Sequence, residues 1–170
     1  MNCPSCGAPM RLQEDQDSLF CEYCNSAYLP EPNQEGIRDL GQTSDVGCPL
    51  CRQPLVHASL EHRRLLYCSG CRGTLLTMPV FADLVEILRS RHPAGVAASH
   101  PPEPHEFDRA LHCPRCDRKM DTHFYAGGGS VVIDDCSPCE LIWLDSGELS
   151  AIASAPDHSR RYELDEKPNF

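Results

Sequence analysis

Long apolar runs are missing from this chain of 170 residues. No stretch approaches the roughly 18 apolar positions that cross a bilayer. No basic segment followed by an apolar one stands ahead of the first cysteine at position 3, so neither an anchor nor a secretory leader is expected. Aromatics are scarce, 6 % of residues, while proline reaches 15 and glycine 11, which is poor material for one large core. Basic residues are outnumbered: 15 Lys+Arg stand against 25 Asp+Glu, a formal net charge of −10, which disfavours general coating of nucleic acid. Catalytic signatures are absent as well. There is no His-Glu-x-x-His, no phosphate-binding loop and no Gly-x-Ser-x-Gly. Gly127-Gly128-Gly129 has no helix after it to bind phosphate and reads as a hairpin turn. The expectation is a soluble, cytoplasmic, non-enzymatic protein with no membrane association and no small-molecule substrate.

Cysteine is what the chain has, 12 residues in six C-x-x-C pairs with none left over. The pairs are Cys3/Cys6, Cys21/Cys24, Cys48/Cys51, Cys68/Cys71, Cys113/Cys116 and Cys136/Cys139. In a reducing compartment such a pattern points to metal rather than disulfides. A single C-x-x-C would serve as well for redox chemistry. Six of them, separated alternately by short and long intervals, form three double knuckles. The short intervals, 7–20, 52–67 and 117–135, have hairpin length, and each unit opens Cys-Pro-x-Cys. The geometry follows from the ion: four thiolates surround it in a tetrahedron, and a β-hairpin brings the second turn back to face the first. Tetrahedral S₄ suits zinc or iron. Three Zn²⁺ are expected, with iron as the alternative, and the twelve cysteines are the ligands. A closed Cys₄ site leaves no position for a catalytic water.

The fold class expected is small and metal-stabilised: three tandem zinc ribbons, the second and third each followed by a short helix. Ribbon 1 spans 1–30, a polar acidic linker 31–47, ribbon 2 with its helix 48–92, a Pro/His-rich linker 93–107, ribbon 3 with its helix 108–155, and a charged tail 156–170. The helix of ribbon 2 shows Phe81, Leu84, Val85 and Leu88 at helical spacing. In ribbon 3, Asp145 and Glu148 look like a capping box before Leu149, Ile152 and Ala153, with Pro156 as the stop. In ribbon 1, Glu31-Pro32 breaks the corresponding helix or displaces it to 34–40. His92, His100 and His105 read as solvated linker residues, and Asp134-Asp135 as strand-edge solvation rather than an acid–base pair.

Cys-Pro-x-Cys, a hairpin, Cys-x-x-Cys and then Trp-Leu-Asp-x-Gly-Glu-Leu resembles the bacterial zinc ribbons of the transcription-factor-IIB type. The resemblance is close over 113–149, weaker over 48–88, where Gly73 is kept but the Trp and the acidic tail are not, and generic over 1–30. It places Cys113, Cys116, Cys136 and Cys139 on the family's metal ligands, and Trp143 with Leu144–Leu149 on its shared tail. Where the family usually has glycines after the last cysteine, this chain has Glu140-Leu141. The name of the family implies transcription. Trp143 is expected in the core, an exposed partner anchor being the alternative.

Charge is uneven along the chain. Segment 48–92 carries Arg52, Arg63, Arg64, Arg72, Arg89 and Arg91 against Glu61, Asp83 and Glu86. Each zinc–tetrathiolate centre adds a net −2, so three of them would bring the chain to about −16. The function expected is a zinc-binding adaptor that docks on a larger protein or nucleoprotein machine through an unidentified protein partner. Two alternatives stand beside it: nucleic-acid binding through the basic second ribbon at Arg63-Arg64, and a thiol-based redox or zinc-release switch.

Overall fold

The computed structural model describes residues 1–13, 17–91, 107–125 and 131–155. Gly127-Gly128-Gly129, nearly all of the Pro/His-rich linker 93–107 and the charged tail lie outside the described residues.

The knuckles set the local structure. The first cysteine's N–H donates to the carbonyl five residues on, as in Cys48 to Gln53 at 2.8 Å and Cys68 to Gly73 at 2.9 Å. Its own carbonyl accepts from the residue four on, Arg52 at 3.0 Å and Arg72 at 2.8 Å. Closing that turn drives the residue after each second cysteine into the left-handed region: Gly7 (φ 77°), Asn25 (55°), Arg52 (64°), Arg72 (63°), Asp117 (59°) and Glu140 (53°). Only the first of the six is glycine, so the ligand geometry prevails over local backbone preference at five of them.

Between the knuckles run the strands. In the first unit β1 (Arg11–Leu12), β2 (Leu19–Phe20) and β3 (Ala27–Tyr28) form a small antiparallel sheet in that order. The rest comprises β4 (Arg38–Gly47), β5 (Pro54–Leu60), β6 (Arg63–Tyr67), β7 (Thr74–Thr77), α1 (Met78–Arg91), β8 (Asp121–Phe124), β9 (Val132–Cys136), β10 (Leu141–Leu144) and α2 (Glu148–Ser154).

Units two and three are not separate ribbons on a linker. They share one seven-stranded sheet, ordered β4-β5-β6-β7-β10-β9-β8. The seam is β7 against β10, antiparallel, with Leu75 opposite Trp143 and Leu76 opposite Ile142. Leu75 and Trp143 are each the fourth residue after the last cysteine of their unit. Equivalent positions therefore meet, and the two units are related by a pseudo-two-fold axis through that pair.

The seam is apolar on both faces. Along β10, Ile142 and Leu144 point into a core with Leu76, Phe81, Leu84, Val85, Leu149 and Ile152, which α1 and α2 cover. Leu141 and Trp143 point the other way, into a core with Leu55, Leu75, Leu111 and Met120. A strand buried on both faces reads as a continuous apolar run, Leu-Ile-Trp-Leu, and needs a partner on each edge. That requirement is why a third strand cannot end an isolated ribbon here.

The expected linker 31–47 is a further correction, because it contains β4. Only Leu40 is fully buried along that strand, and its register against β5 shifts twice. An edge strand with one anchor tolerates polar residues elsewhere, which hid it from the hydrophobic pattern. Residues 34–36 form a turn rather than a helix.

The first unit packs on the sheet rather than swinging free. The side chain of Met1 lies over Gly41, whose own Cβ would stand 3.2 Å from Met1 Cε. Asp17 meets His62 Nδ1 at 3.0 Å and Arg64 Nε at 3.7 Å, and Arg64 donates to the Gln13 carbonyl at 2.6 Å. No helix among the described residues is long and apolar enough to cross a membrane.

Candidate metal centres

The structure brings the twelve cysteines together in three groups: Cys3, Cys6, Cys21, Cys24; Cys48, Cys51, Cys68, Cys71; and Cys113, Cys116, Cys136, Cys139. Within each group the four sulfurs lie within 4.8 Å of one another. Facing sulfurs stand 3.6 Å apart for Cys3–Cys24, 3.5 Å for Cys6–Cys21, 3.6 Å for Cys48–Cys71, 3.3 Å for Cys51–Cys68 and 3.7 Å for Cys116–Cys136. Four sulfurs at about 2.3 Å from a central ion stand about 3.8 Å apart in a tetrahedron, so each group has the size of a Zn(Cys)₄ centre. None of the twelve is joined in a disulfide.

Burial alternates. The first cysteine of every pair is buried and the second is exposed or half-exposed. In units two and three the outer sulfur of the first pair is primed by a backbone donor: the N–H of Gln53 draws Cys51 down to about 7, and that of Arg118 draws Cys116 down to about 7. In unit one the Ser26 hydroxyl, 3.3 Å from Cys3 Sγ and 3.0 Å from Cys24 Sγ, draws Cys3 down to about 6. Their neighbours go the other way. Burial pushes Cys48 up to about 11, and contact with the Cys116 sulfur pushes Cys139 up to about 12. Four touching thiols cannot all ionise without a cation among them. A soft divalent ion supplies that charge and takes all four sulfurs as ligands. None of the histidines joins a cluster among the described residues.

Centres two and three share one apolar core. Cys48, Cys68, Cys113 and Cys136 all pack with Leu75 and Trp143. Trp143 is fully buried, which places it in the core, and its ring lies on Gly73: a Cβ there would stand 2.2 Å from Trp143 Cζ2. Centre one has only a small cluster of its own, Cys3, Met10, Leu19 and Cys21. A groove of 460 Å³ runs between centres two and three, bordered by Gly47, Arg52, Pro114, Arg115 and Asp117.

A buried polar network, unmarked by any motif, braces centre three. Arg109 donates to Asp134 at 2.7 Å and to Asp145, while Thr122 Oγ1 donates to Asp134 at 2.5 Å and Trp143 Nε1 to Asp145 at 3.0 Å. Burial opposes the charge of Arg109, but Asp145 and then Asp134 hold its pKa above the ordinary value. Asp135 is likewise buried, between His123 Nε2 at 2.7 Å and Ser137 Oγ at 2.9 Å. Asp134 and Asp135 are thus buried partners rather than solvated edge residues. The expected capping box is not formed, because the helix starts at Glu148 with Gly147 as its N-cap, although the Asp145 N–H still donates to Glu148 at 2.6 Å. The Asp145 carboxylate turns instead to Arg109 and Trp143.

Residues 112–155 match the family model of the transcription factor zinc-finger of TFIIB type. That segment holds Cys113, Cys116, Cys136 and Cys139, the Arg109-braced strands β8 to β10 and all of α2, and it is about a quarter of the chain. The third unit is therefore similar to the TFIIB-type zinc ribbon, and the match together with the three four-cysteine groups supports zinc binding in a sheet-rich protein. No curated protein matches the chain, and no solved structure does.

Proposed function

We propose that the protein binds three zinc ions and works as a non-enzymatic adaptor, docking on a larger protein or nucleoprotein assembly. The observation that carries this reading is the closed donor set at each centre. Four cysteines fill a tetrahedral ion's positions, so the metal holds surfaces in place and leaves no site for substrate. Seating two centres in one core gives a rigid platform, and exposed apolar side chains stand on the knuckles, Tyr23 at 83 % exposure and Leu50 at 40 %. Such side chains are suited to anchor a protein partner. Transcription is the process that the TFIIB-type match favours. A tagged pull-down of the zinc-loaded chain from native lysate, with and without nuclease, tests it. A specific protein retained after nuclease supports the adaptor. Enrichment lost with nuclease moves the reading to nucleic-acid binding.

One observation favours nucleic acid as a second reading, at a different place from Arg63-Arg64. Arg63 is paired with Asp83 at 3.1 Å and Arg64 with Asp17, so both serve packing. Arg52 and Arg115 instead border the groove between centres two and three. Binding there would weaken with rising salt, and Arg52→Ala with Arg115→Ala would abolish it. Affinity indifferent to salt would dismiss this reading.

A further inference from the structure

The repeat itself shows what a third strand of this ribbon packs against. In units two and three the third strands pair with each other about the pseudo-two-fold axis, Leu75 opposite Trp143. In unit one the third strand, β3, has a partner on one side only among the described residues, because the small sheet ends there. Tyr28 is the fourth residue after Cys24, as Leu75 follows Cys71 and Trp143 follows Cys139. We propose that the free edge of β3 pairs with β3 of a second copy of this chain, antiparallel, with Tyr28 opposite Tyr28. The proposal goes beyond the adaptor reading and does not rest on it.

Backbone direction agrees. The Ser26 carbonyl accepts from Cys21 N–H, which turns Ser26, and by alternation Tyr28, toward β2, while beyond the strand the Pro30 carbonyl accepts from Arg38 Nη1 at 2.5 Å. Ala27 and Leu29 therefore present their N–H and C=O outward. In the proposed register Ala27 lies opposite the partner's Leu29, and these two positions exchange the hydrogen bonds. Pro30, which has no N–H, falls where no donor is needed. The seam of units two and three uses the same phase: Leu76 lies opposite Ile142, and Met78 N–H donates to the Glu140 carbonyl at 2.9 Å.

Side-chain size also selects this pairing. At the existing seam the fourth residue of one unit, Trp143, needs glycine at the second position of the other, Gly73. Unit three cannot pair with itself, because Leu141 occupies that second position beside a tryptophan. Unit two paired with itself would leave a void, with leucine over glycine. Unit one combines Tyr28 with the small Ser26 and is self-complementary. Ala27 is exposed and Leu29 is 48 % exposed, so the edge is accessible. Two short strands bury little surface, and both copies are acidic. The dimer is therefore weak, and salt strengthens it by screening their repulsion.

Sedimentation velocity of the full zinc-loaded chain from about 5 to 300 µM, at roughly 0.05 and 0.5 M salt, tests this. The expected result is a monomer–dimer equilibrium that tightens at the higher salt. Ala27→Pro removes only an outward donor, and Leu29→Asp places like charges across the axis. Each should weaken the dimer at least about tenfold while the zinc content stays that of the parent. Slower amide exchange in peptides covering residues 26–30 at high concentration would locate the contact. A monomer throughout, or a dimer that both variants leave intact, overturns the proposal.

Discussion

Single residues carry this structure in places the hydrophobic pattern does not mark. Glu140 sits at φ 53° after the last cysteine, exposed and with its carbonyl taken by Met78. A left-handed conformation costs a non-glycine residue about 1 kcal/mol. Glu140→Gly should therefore raise the denaturation midpoint of the zinc-loaded protein by the equivalent of about 0.5–1 kcal/mol, as followed by the emission of the lone Trp. A lower midpoint would mean that the glutamate side chain does more than the backbone geometry indicates. Arg109 is the opposite case. Its removal strands Asp134, which is fully buried, and breaking such a buried pair from one side costs about 3–5 kcal/mol. Arg109→Met should lose most of that, and the double variant Arg109→Met with Asp134→Asn should recover part of it in chemical denaturation. His123 gives the pH signature. The Phe124 carbonyl first, and then Asp135, raise its pKa. The stabilisation this provides is fully present below the unfolded value of about 6.5 and is lost as pH rises through the higher folded one. The stability difference between the parent and His123→Gln should therefore shrink with rising pH in parallel denaturation curves. A difference that stays constant would show that the contact is not ionic.

At the scale of elements, the knuckles and hairpins were legible and the seam was not. Cysteine spacing is a covalent ruler: the C-x-x-C turn and the hairpin length are fixed by an ion, whatever the neighbours do. Two-sided burial of Leu141–Leu144 was written in the same four letters that suggested a short strand, but a strand's partner on its far edge leaves no local mark. β4 was hidden because an edge strand anchored by Leu40 need not alternate. Gly73 was noted only as something shared with a family, and its physical reason appears once the indole of Trp143 lies against it. The seam therefore has a sharp test. At 2.2 Å from Trp143 Cζ2 even a methyl group is excluded, so Gly73→Ala must displace the indole or open β7 from β10. Overpacking of this kind costs about 1–3 kcal/mol. The variant should show that loss in urea, together with a red-shifted Trp emission as the ring leaves its fully buried site. Parent-like emission and stability would place the seam elsewhere than in this contact.

At the scale of the whole molecule, the three four-cysteine centres have unequal support. Centres two and three share a single apolar core, in which Cys48, Cys68, Cys113 and Cys136 pack with Leu75 and Trp143. Filling one centre orders the strands that present the sulfurs of the other, so the two should load as a coupled pair. Centre one is held to the sheet by Met1 and by the polar contacts of Asp17. Its cluster does not reach the indole. Single variants separate the cases. Cys21→Ser should lose the zinc of centre one while Trp143 emission stays unchanged. Cys136→Ser should lose the zinc of centre three, shift the emission, and make centre two yield its metal at a chelator concentration about tenfold lower, since contacts sharing one core couple by roughly 1 kcal/mol or more. Elemental analysis after gel filtration, followed by chelator titration, reads both. If each variant lost one zinc with no change in the affinity of the others, the shared core would be packing alone. The three centres would then be independent beads, and the rigid platform on which the adaptor reading depends would lose its physical basis.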